Sequence, residues 1–242
     1  MILRSLGLAG GPVCRGNNEG SIHGSGLISN ALFPGSGMLQ SIMLIIPYRD
    51  NTRDKIISES LDVLKKGGVI AYPTESFYAL GVAATDENAV KKLFALKKRP
   101  TDKALPLIVG DRYMLITCIH EIPLEAEDFI KRFWPGPLTL IFKAKEHIPK
   151  LLTGNTGKVA IRIPGESAAL HLVRELKLPI TATSANLSSM PPADSAEKVI
   201  DYYDDKIDLI IDAGKSAGGK PSTIIDVTVS PPKVLREGSV SL

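Results

Sequence analysis

The 242-residue chain is poor in several residue types, and each shortage closes off a class of function. Only two cysteines occur, Cys14 and Cys118, too few for a disulfide framework and too widely separated for a thiolate zinc site. That usage fits a reducing, cytoplasmic setting. The four histidines, His23, His120, His147 and His171, show no metal-ligand spacing, and no acidic cluster accompanies them, so no resident metal is expected. Apolar runs approaching the roughly 20 residues that cross a bilayer are missing, which excludes a helical membrane span. A large excess of one charge is missing too: 29 basic residues face 26 acidic ones, a net charge of +3. A dedicated nucleic-acid binder concentrates positive charge, and this chain does not. What remains, 44% hydrophobic and 23% charged residues, is enough for one sizeable core in a soluble globular domain.

Composition changes abruptly near residue 43. Residues 1–42 hold nine of the 21 glycines, no Lys, Asp or Thr, and neither helical nor strand periodicity. Arg4 and Arg15 are opposed there by Glu19 alone. The segment is read as a disordered leader or as translated sequence upstream of the true start. Targeting is the lesser alternative, because glycine breaks every apolar stretch that a secretory signal would need. A compact domain is expected over 43–242, opening on the strand-like run Met43-Leu44-Ile45-Ile46, with 27 basic and 25 acidic residues of its own.

Within that domain, helical and strand patterns alternate. Residues 52–66 place Ile56, Ile57, Ser60, Leu61 and Leu64 near one helical face, and Gly67-Gly68 stops the helix. Val69 to Tyr72 reads as a short buried strand that ends at Pro73. A second helix is expected over 87–97, capped by Asp86, with Val90, Leu93, Phe94 and Leu96 on its apolar face and Pro100 closing the end. Helices are further expected over 123–133, 168–176 and 195–203. Strands are expected over 105–109, 138–142, 159–163, 179–183, 209–211, 223–227 and 233–235. Alternation of this kind predicts a three-layer α/β fold with a central twisted mixed sheet flanked by helices, in which ligands collect where strands run out into loops.

Two polar signatures fall at such ends. Lys97-Lys98-Arg99 closes a helix, and Ser184-Ala185-Asn186 follows a strand. A Lys-x-Arg pair offers two positive charges for carboxylate or phosphate, with the planar fork of arginine adding geometry that lysine lacks. Ser and Asn add neutral donors and acceptors. In isolation each has a plainer reading: Lys97 and Arg99 as cations facing the negative end of their own helix, worth about 0.3 to 1 kcal/mol, and Ser184 and Asn186 as caps. Gly214-Lys215-Ser216 resembles the end of a phosphate-binding loop, but the first glycine of that motif would fall at Leu209, so a Walker-type site is excluded.

The ordered set GGVIAYPTESFYALG (67–81), KKRP, WPGPLTLIF, VAIRIP, ITATSANLS, PSTIIDV and LREG resembles the YrdC-like family of threonylcarbamoyl-AMP synthases, over essentially residues 43–242. The resemblance implies a nucleotidyltransferase that joins L-threonine, bicarbonate or CO2, and ATP into L-threonylcarbamoyladenylate with release of pyrophosphate, for threonylcarbamoyladenosine modification of tRNA. It implies Mg2+ carried on ATP, a contact with tRNA, and hand-over to downstream threonylcarbamoyl-transfer machinery. By the same resemblance Lys97, Arg99, Ser184 and Asn186 are catalytic. Thr74, Tyr78, Arg99 and Thr183 line the threonine side, and Lys97, Lys103, Arg162, Ser184, Asn186, Ser222 and Arg236 hold ATP. The plainer readings here are a turn cap for Thr74, a packed aromatic for Tyr78, a salt bridge for Arg162, and ties between C-terminal strands for Ser222 and Arg236. The chain departs from the synthase pattern at Ser76, Phe77 and Ala79, where Thr, a small aliphatic residue and Gly are expected. The ending at Leu242 implies a single-domain member. The alternative is a YrdC-like RNA-binding protein or threonylcarbamoyl-RNA hydrolase without synthase activity.

Overall fold

Short aliphatic runs become strands here because each is flanked by a turn former, and longer runs with helical period become the covering helices. A computed structural model describes residues 43–241, so the expectations for residues 1–42 lie outside the described residues. The elements run β1 (Leu44–Pro47), α1 (Arg53–Lys65), β2 (Ile70–Pro73), β3 (Tyr78–Gly81), α2 (Glu87–Lys97), β4 (Leu107–Ile108), α3 (Arg112–Cys118), α4 (Leu124–Phe133), β5 (Leu138–Lys143), β6 (Lys158–Arg162), α5 (Ala168–Leu176), β7 (Ile180–Thr181), β8 (Thr183–Ser184), α6 (Ala196–Tyr203), β9 (Leu209–Asp212), β10 (Thr223–Asp226) and β11 (Lys233–Arg236).

The α/β class and the mixed pairing agree with the sequence reading, but the strands divide between two sheets rather than one. One has the order β1-β9-β2-β3-β8 and the other β11-β10-β5-β6-β4-β7. The expected strand over 179–183 is where they part. Thr181 pairs with Leu107 of β4, whereas Thr183 pairs with Leu80 of β3. Between them the Ala182 N–H donates to Pro106 O at 2.8 Å in line with the β4 register, and the Thr181 N–H donates to Val82 O at 3.1 Å in line with the β3 register. One extended stretch thus belongs to two sheets, and the seam it makes opens beside Ser184. The close approach of strands there needs a glycine. A Cβ at Gly81 would sit 2.8 Å from the Tyr72 ring, whose buried hydroxyl donates to Thr181 O.

Two elements escape the sequence reading. The strand β3 lies inside a segment read for its polar residues. The helix α3 carries β-branched Ile116 and Thr117 and depends on the Asp111 carboxylate, which accepts the Met114 N–H at 2.7 Å. The α2 helix behaves as expected at its start, where Asp86 Oδ1 accepts the Asn88 and Ala89 N–H groups. At its end Lys98 takes the left-handed conformation at φ 50°, and the Arg99 N–H reaches back to Phe94 O. This sharp stop fixes the directions in which Lys97 and Arg99 leave the helix. Replacing Asp86 with Ala removes the cap and is expected to lower unfolding stability by about 1 kcal/mol in urea titration.

Candidate active site

Beside the seam lies a cavity of about 590 Å³, within the range of small-molecule sites. Its wall includes Thr74, Tyr78, Arg99, Arg162, Thr183, Ser184, Ser222 and Arg236. Eight of the sequence-selected residues therefore converge, although they come from seven different elements or turns. Lys97 and Asn186 stand behind the wall, and Lys103 is exposed and lies outside it.

Lys97 is the departure with most consequence. It is 2% exposed, not a solvated helix end. Val90, Leu93, Phe94 and Lys97 follow the i, i+3, i+4, i+7 pattern, so the lysine occupies the buried stripe in the place assigned to Leu96, which is only half-buried. Its Nζ donates to Ser184 O at 2.5 Å, Asn186 O at 2.6 Å and Asn186 Oδ1 at 3.2 Å. Ser184 Oγ in turn donates to Asn186 Oδ1 at 2.6 Å, and Asn186 Nδ2 donates to Met190 O. The link is reciprocal, because Lys97 O accepts from Ser188 N and Oγ at 3.2 and 3.0 Å. Burial pulls the Lys97 ammonium down to about 7, and the charge of Arg99 acts the same way. Three oxygen acceptors, matching the three N–H bonds of an ammonium, act in the opposite direction.

Arg99 is half-buried on the cavity wall. Its Nε donates to Lys103 O at 3.0 Å and one terminal nitrogen to Ala104 O at 2.7 Å, leaving the other face of the fork for the cavity. Lys103 thus enters the site through its backbone carbonyl. Burial lowers the Arg99 pKa, with Asp102 opposing that shift. Arg236 and Ser222 form a second cationic wall. The guanidinium donates to Ser222 O at 2.8 Å and to Ser222 Oγ at 3.1 Å, and Ser222 Oγ meets Thr139 Oγ1 at 2.8 Å. Thr139 is a wall residue that the sequence reading missed. Its only signal is a lone hydroxyl within the aliphatic run of β5. Burial lowers the Arg236 pKa, as does the charge of nearby Arg162.

The turn between β2 and β3 supplies the opposite wall. Thr74 Oγ1 donates to Phe77 O at 2.7 Å and accepts the N–H groups of Ser76 and Phe77, the geometry of a turn cap. Tyr78 is fully buried at 0% exposure, and its hydroxyl is committed. It donates to Gly214 O at 2.8 Å and accepts from the Ala213 N–H at 3.0 Å. Burial pushes this phenol up to about 12. Its hydroxyl pins the glycine-rich loop 213–221, which is fastened again by Gly218 N to Ser76 O at 2.8 Å and Ser216 N to Asp194 O at 2.7 Å. Gly218 and Gly219 adopt φ of +71° and +118°, which lets this loop bring Gly219 and Pro221 to the cavity.

The family model for Sua5, YciO and YrdC proteins, described as "Telomere recombination", matches residues 62–238. The chain belongs to the Sua5/YciO/YrdC family. It is 41% identical over 199 residues to a threonylcarbamoyl-AMP synthase of Pyrococcus abyssi, covering 82% of this chain and 58% of that protein. The crystal structure of P. abyssi Sua5 complexed with L-threonine superposes with a TM-score of 0.75 at 41% identity, over 81% of this chain and 57% of that one. The crystal structure of YciO from E. coli superposes with a TM-score of 0.73 at 30% identity, over 83% of this chain and 97% of that one. The chain thus spans a little over half the length of the curated relatives it matches.

Two outcomes follow from this family site. The Lys97 value lies below its ordinary 10.5, so the unfolded chain binds more protons between about pH 7 and 10.5. The cost of burying the cation is fully present below pH 7 and is lost as pH rises through that window. An anion bound next to Lys97 favours its charged form, so binding of an anionic ligand such as inorganic pyrophosphate at pH 8 is expected to take up protons. The uptake is read from binding heats in buffers of different ionisation enthalpy, and it should disappear in Lys97→Met. Tyr78→Phe leaves Gly214 O and the Ala213 N–H without their partner. We expect a loss of about 1 to 3 kcal/mol of stability and faster amide exchange across 213–219.

Proposed function

We propose that this chain is an L-threonylcarbamoyladenylate synthase acting on L-threonine, bicarbonate or CO2, and ATP. The observation that carries the proposal is the convergence of Arg99, Arg162 and Arg236 with Ser184 on one cavity wall, backed by the Lys97–Asn186 network. Three guanidiniums suit a ligand set that brings one carboxylate and a triphosphate. The naming of relatives as threonylcarbamoyl-AMP synthases and the threonine complex of P. abyssi Sua5 support the same reading.

In this reaction the threonine amine attacks the carbon of CO2, forming an N–C bond and releasing one proton. A carbamate oxygen then attacks the α-phosphorus of ATP. The bond from that phosphorus to the bridging oxygen breaks, and its electron pair leaves on pyrophosphate. No protein nucleophile is needed, so the contribution of the chain is alignment and neutralisation of phosphate charge. Arg162 and Arg236 face the phosphates, and the Ser184–Asn186 turn, held by Lys97, places the Ser184 hydroxyl oxygen beside them. Thr74, Tyr78, Arg99 and Thr183 shape the threonine side. Mg2+ enters with ATP, held by phosphate oxygens and water, since no group of three or more His, Cys, Asp or Glu side chains gathers to hold a metal among the described residues. No helix of the described residues is long and apolar enough to cross a membrane, and we place the activity in the cytoplasm beside the tRNA-modifying machinery that consumes the adenylate.

A YrdC-like RNA-binding protein or threonylcarbamoyl-RNA hydrolase without synthase activity is the second reading. Pyrophosphate release and adenylate mass, followed with ATP, Mg2+, bicarbonate and one amino acid at a time, separate the two. Release that requires both threonine and bicarbonate is expected. Arg99→Ala should reduce it by roughly 100-fold or more while the protein stays folded. A folded protein that binds tRNA in a salt-sensitive way but forms no adenylate with any amino acid would establish the second reading.

A further inference from the structure

Glu75 has no role in the site as described so far, yet it is the carboxylate tied most directly to it. The residue sits in the turn between β2 and β3, immediately after Thr74, whose hydroxyl fixes that turn. Its side chain is 27% exposed and that of Arg162 is 14% exposed. The pair is a two-pronged fork: one terminal nitrogen of Arg162 donates to Glu75 Oε1 at 3.0 Å and the other to Oε2 at 3.2 Å. A third donor, the Gly165 N–H, reaches Oε1 at 2.7 Å. A Cβ at Gly165 would lie 3.3 Å from that same oxygen, so the glycine makes room for the carboxylate. Glu75 is absent from the cavity wall, whereas Arg162 is part of it.

Three donors occupy both oxygens of the carboxylate. They suit it to hold a guanidinium in one orientation. Arg162 is close enough to Arg236 for its charge to lower the pKa of Arg236, so without a carboxylate two cations would repel across the same wall. We infer that Glu75 is a positioning residue that aims the remaining N–H groups of Arg162 at the anionic group of one substrate and offsets the repulsion between Arg162 and Arg236. The inference rests on the synthase reading and adds to it a residue that touches neither substrate. Arg162 occupies one place on the wall, so the effect of Glu75 should fall on one substrate alone.

The test is Glu75→Gln in the full-length protein. The substitution keeps the shape and an acceptor for the Gly165 N–H but removes the charge and half of the fork. We expect the KM for either threonine or ATP to rise about tenfold or more, the other KM to stay within about twofold, and the Tm to shift by no more than about 3 °C. In an Arg162→Met background, or in Arg162→Lys if the Met variant does not fold, adding Glu75→Gln should change neither KM by more than about twofold. Unchanged KM values in Glu75→Gln would overturn the inference, as would equal rises in both with a matching loss of Tm. An undiminished effect of Glu75→Gln in the Arg162 variant would overturn it as well. A folded wild-type protein with no turnover and no calorimetric binding of threonine or ATP would overturn the synthase reading and this inference with it. Wild-type turnover with an indifferent Glu75→Gln would overturn the inference alone.

Discussion

A buried ammonium joins the two halves of the site. Lys97 reaches from the last turn of α2 to the carbonyls of Ser184 and Asn186, which belong to a strand end nearly ninety residues later in the chain. Burying a lone cation is costly, and the cost is contained only when oxygens surround it. The turn over 184–186 supplies those oxygens because it points the Ser184 and Asn186 carbonyls and the Asn186 side-chain oxygen at the same spot. Each side depends on the other. Without the lysine those carbonyls have no common partner, and without the turn the lysine has none. The Ser184 hydroxyl is aimed by the same network, since the Asn186 oxygen that accepts it also accepts Lys97. An aspect of the site that looks local, the direction of one hydroxyl, is therefore set by the length and helical phase of α2.

The seam between the sheets has a similar logic. The stretch over 180–184 pairs along both edges: the Thr181 N–H follows the β3 register to Val82 O, and the Ala182 N–H follows the β4 register to Pro106 O. One strand thus ties the two sheets together and carries Ser184 to the cavity. The cationic groups then reach that space from several directions: Arg99 from a helix end, Arg162 from the end of β6, and Arg236 from the end of β11.

Much of this was readable in the sequence, for identifiable reasons. The limits of α2 and α5 follow from caps and period: Asp86 and Ser167 begin them, and left-handed residues end them. The motifs that carry the family resemblance sit where strands and helices stop, and most of them meet in space. The burial of Lys97 was also present in the pattern, at i+7 from Val90, but charge outweighed phase in the reading. Other features were not readable from local sequence. The pairing of residues 180–184 with β3 on one edge and β4 on the other is a non-local choice that side-chain alternation does not encode. Thr139 and Glu75 were passed over because their meaning lies in partners 83 and 87 positions away, Ser222 and Arg162. The family resemblance puts Tyr78 on the threonine side. The structure keeps the residue at the wall but commits its hydroxyl to the glycine-rich loop.

These commitments bear on where the proton of the proposed reaction goes. Threonine enters with an ammonium, and only the free amine can attack CO2, so a proton must leave before or during that step. Among the described residues, the wall offers little to receive it. The phenol of Tyr78 has a raised pKa and already donates to Gly214 O. The Ser184 hydroxyl is given to Asn186, and the Thr74 hydroxyl closes its own turn. Glu75 is covered by three donors. The titratable groups that remain on the wall are guanidiniums, which hold their protons throughout. A site of this composition lowers the pKa of a neighbouring ammonium by like charge and leaves acceptance of the proton to bicarbonate, to phosphate oxygen or to water. That assigns catalysis to position and field, in keeping with a pocket built from fixed donors rather than from acid and base pairs.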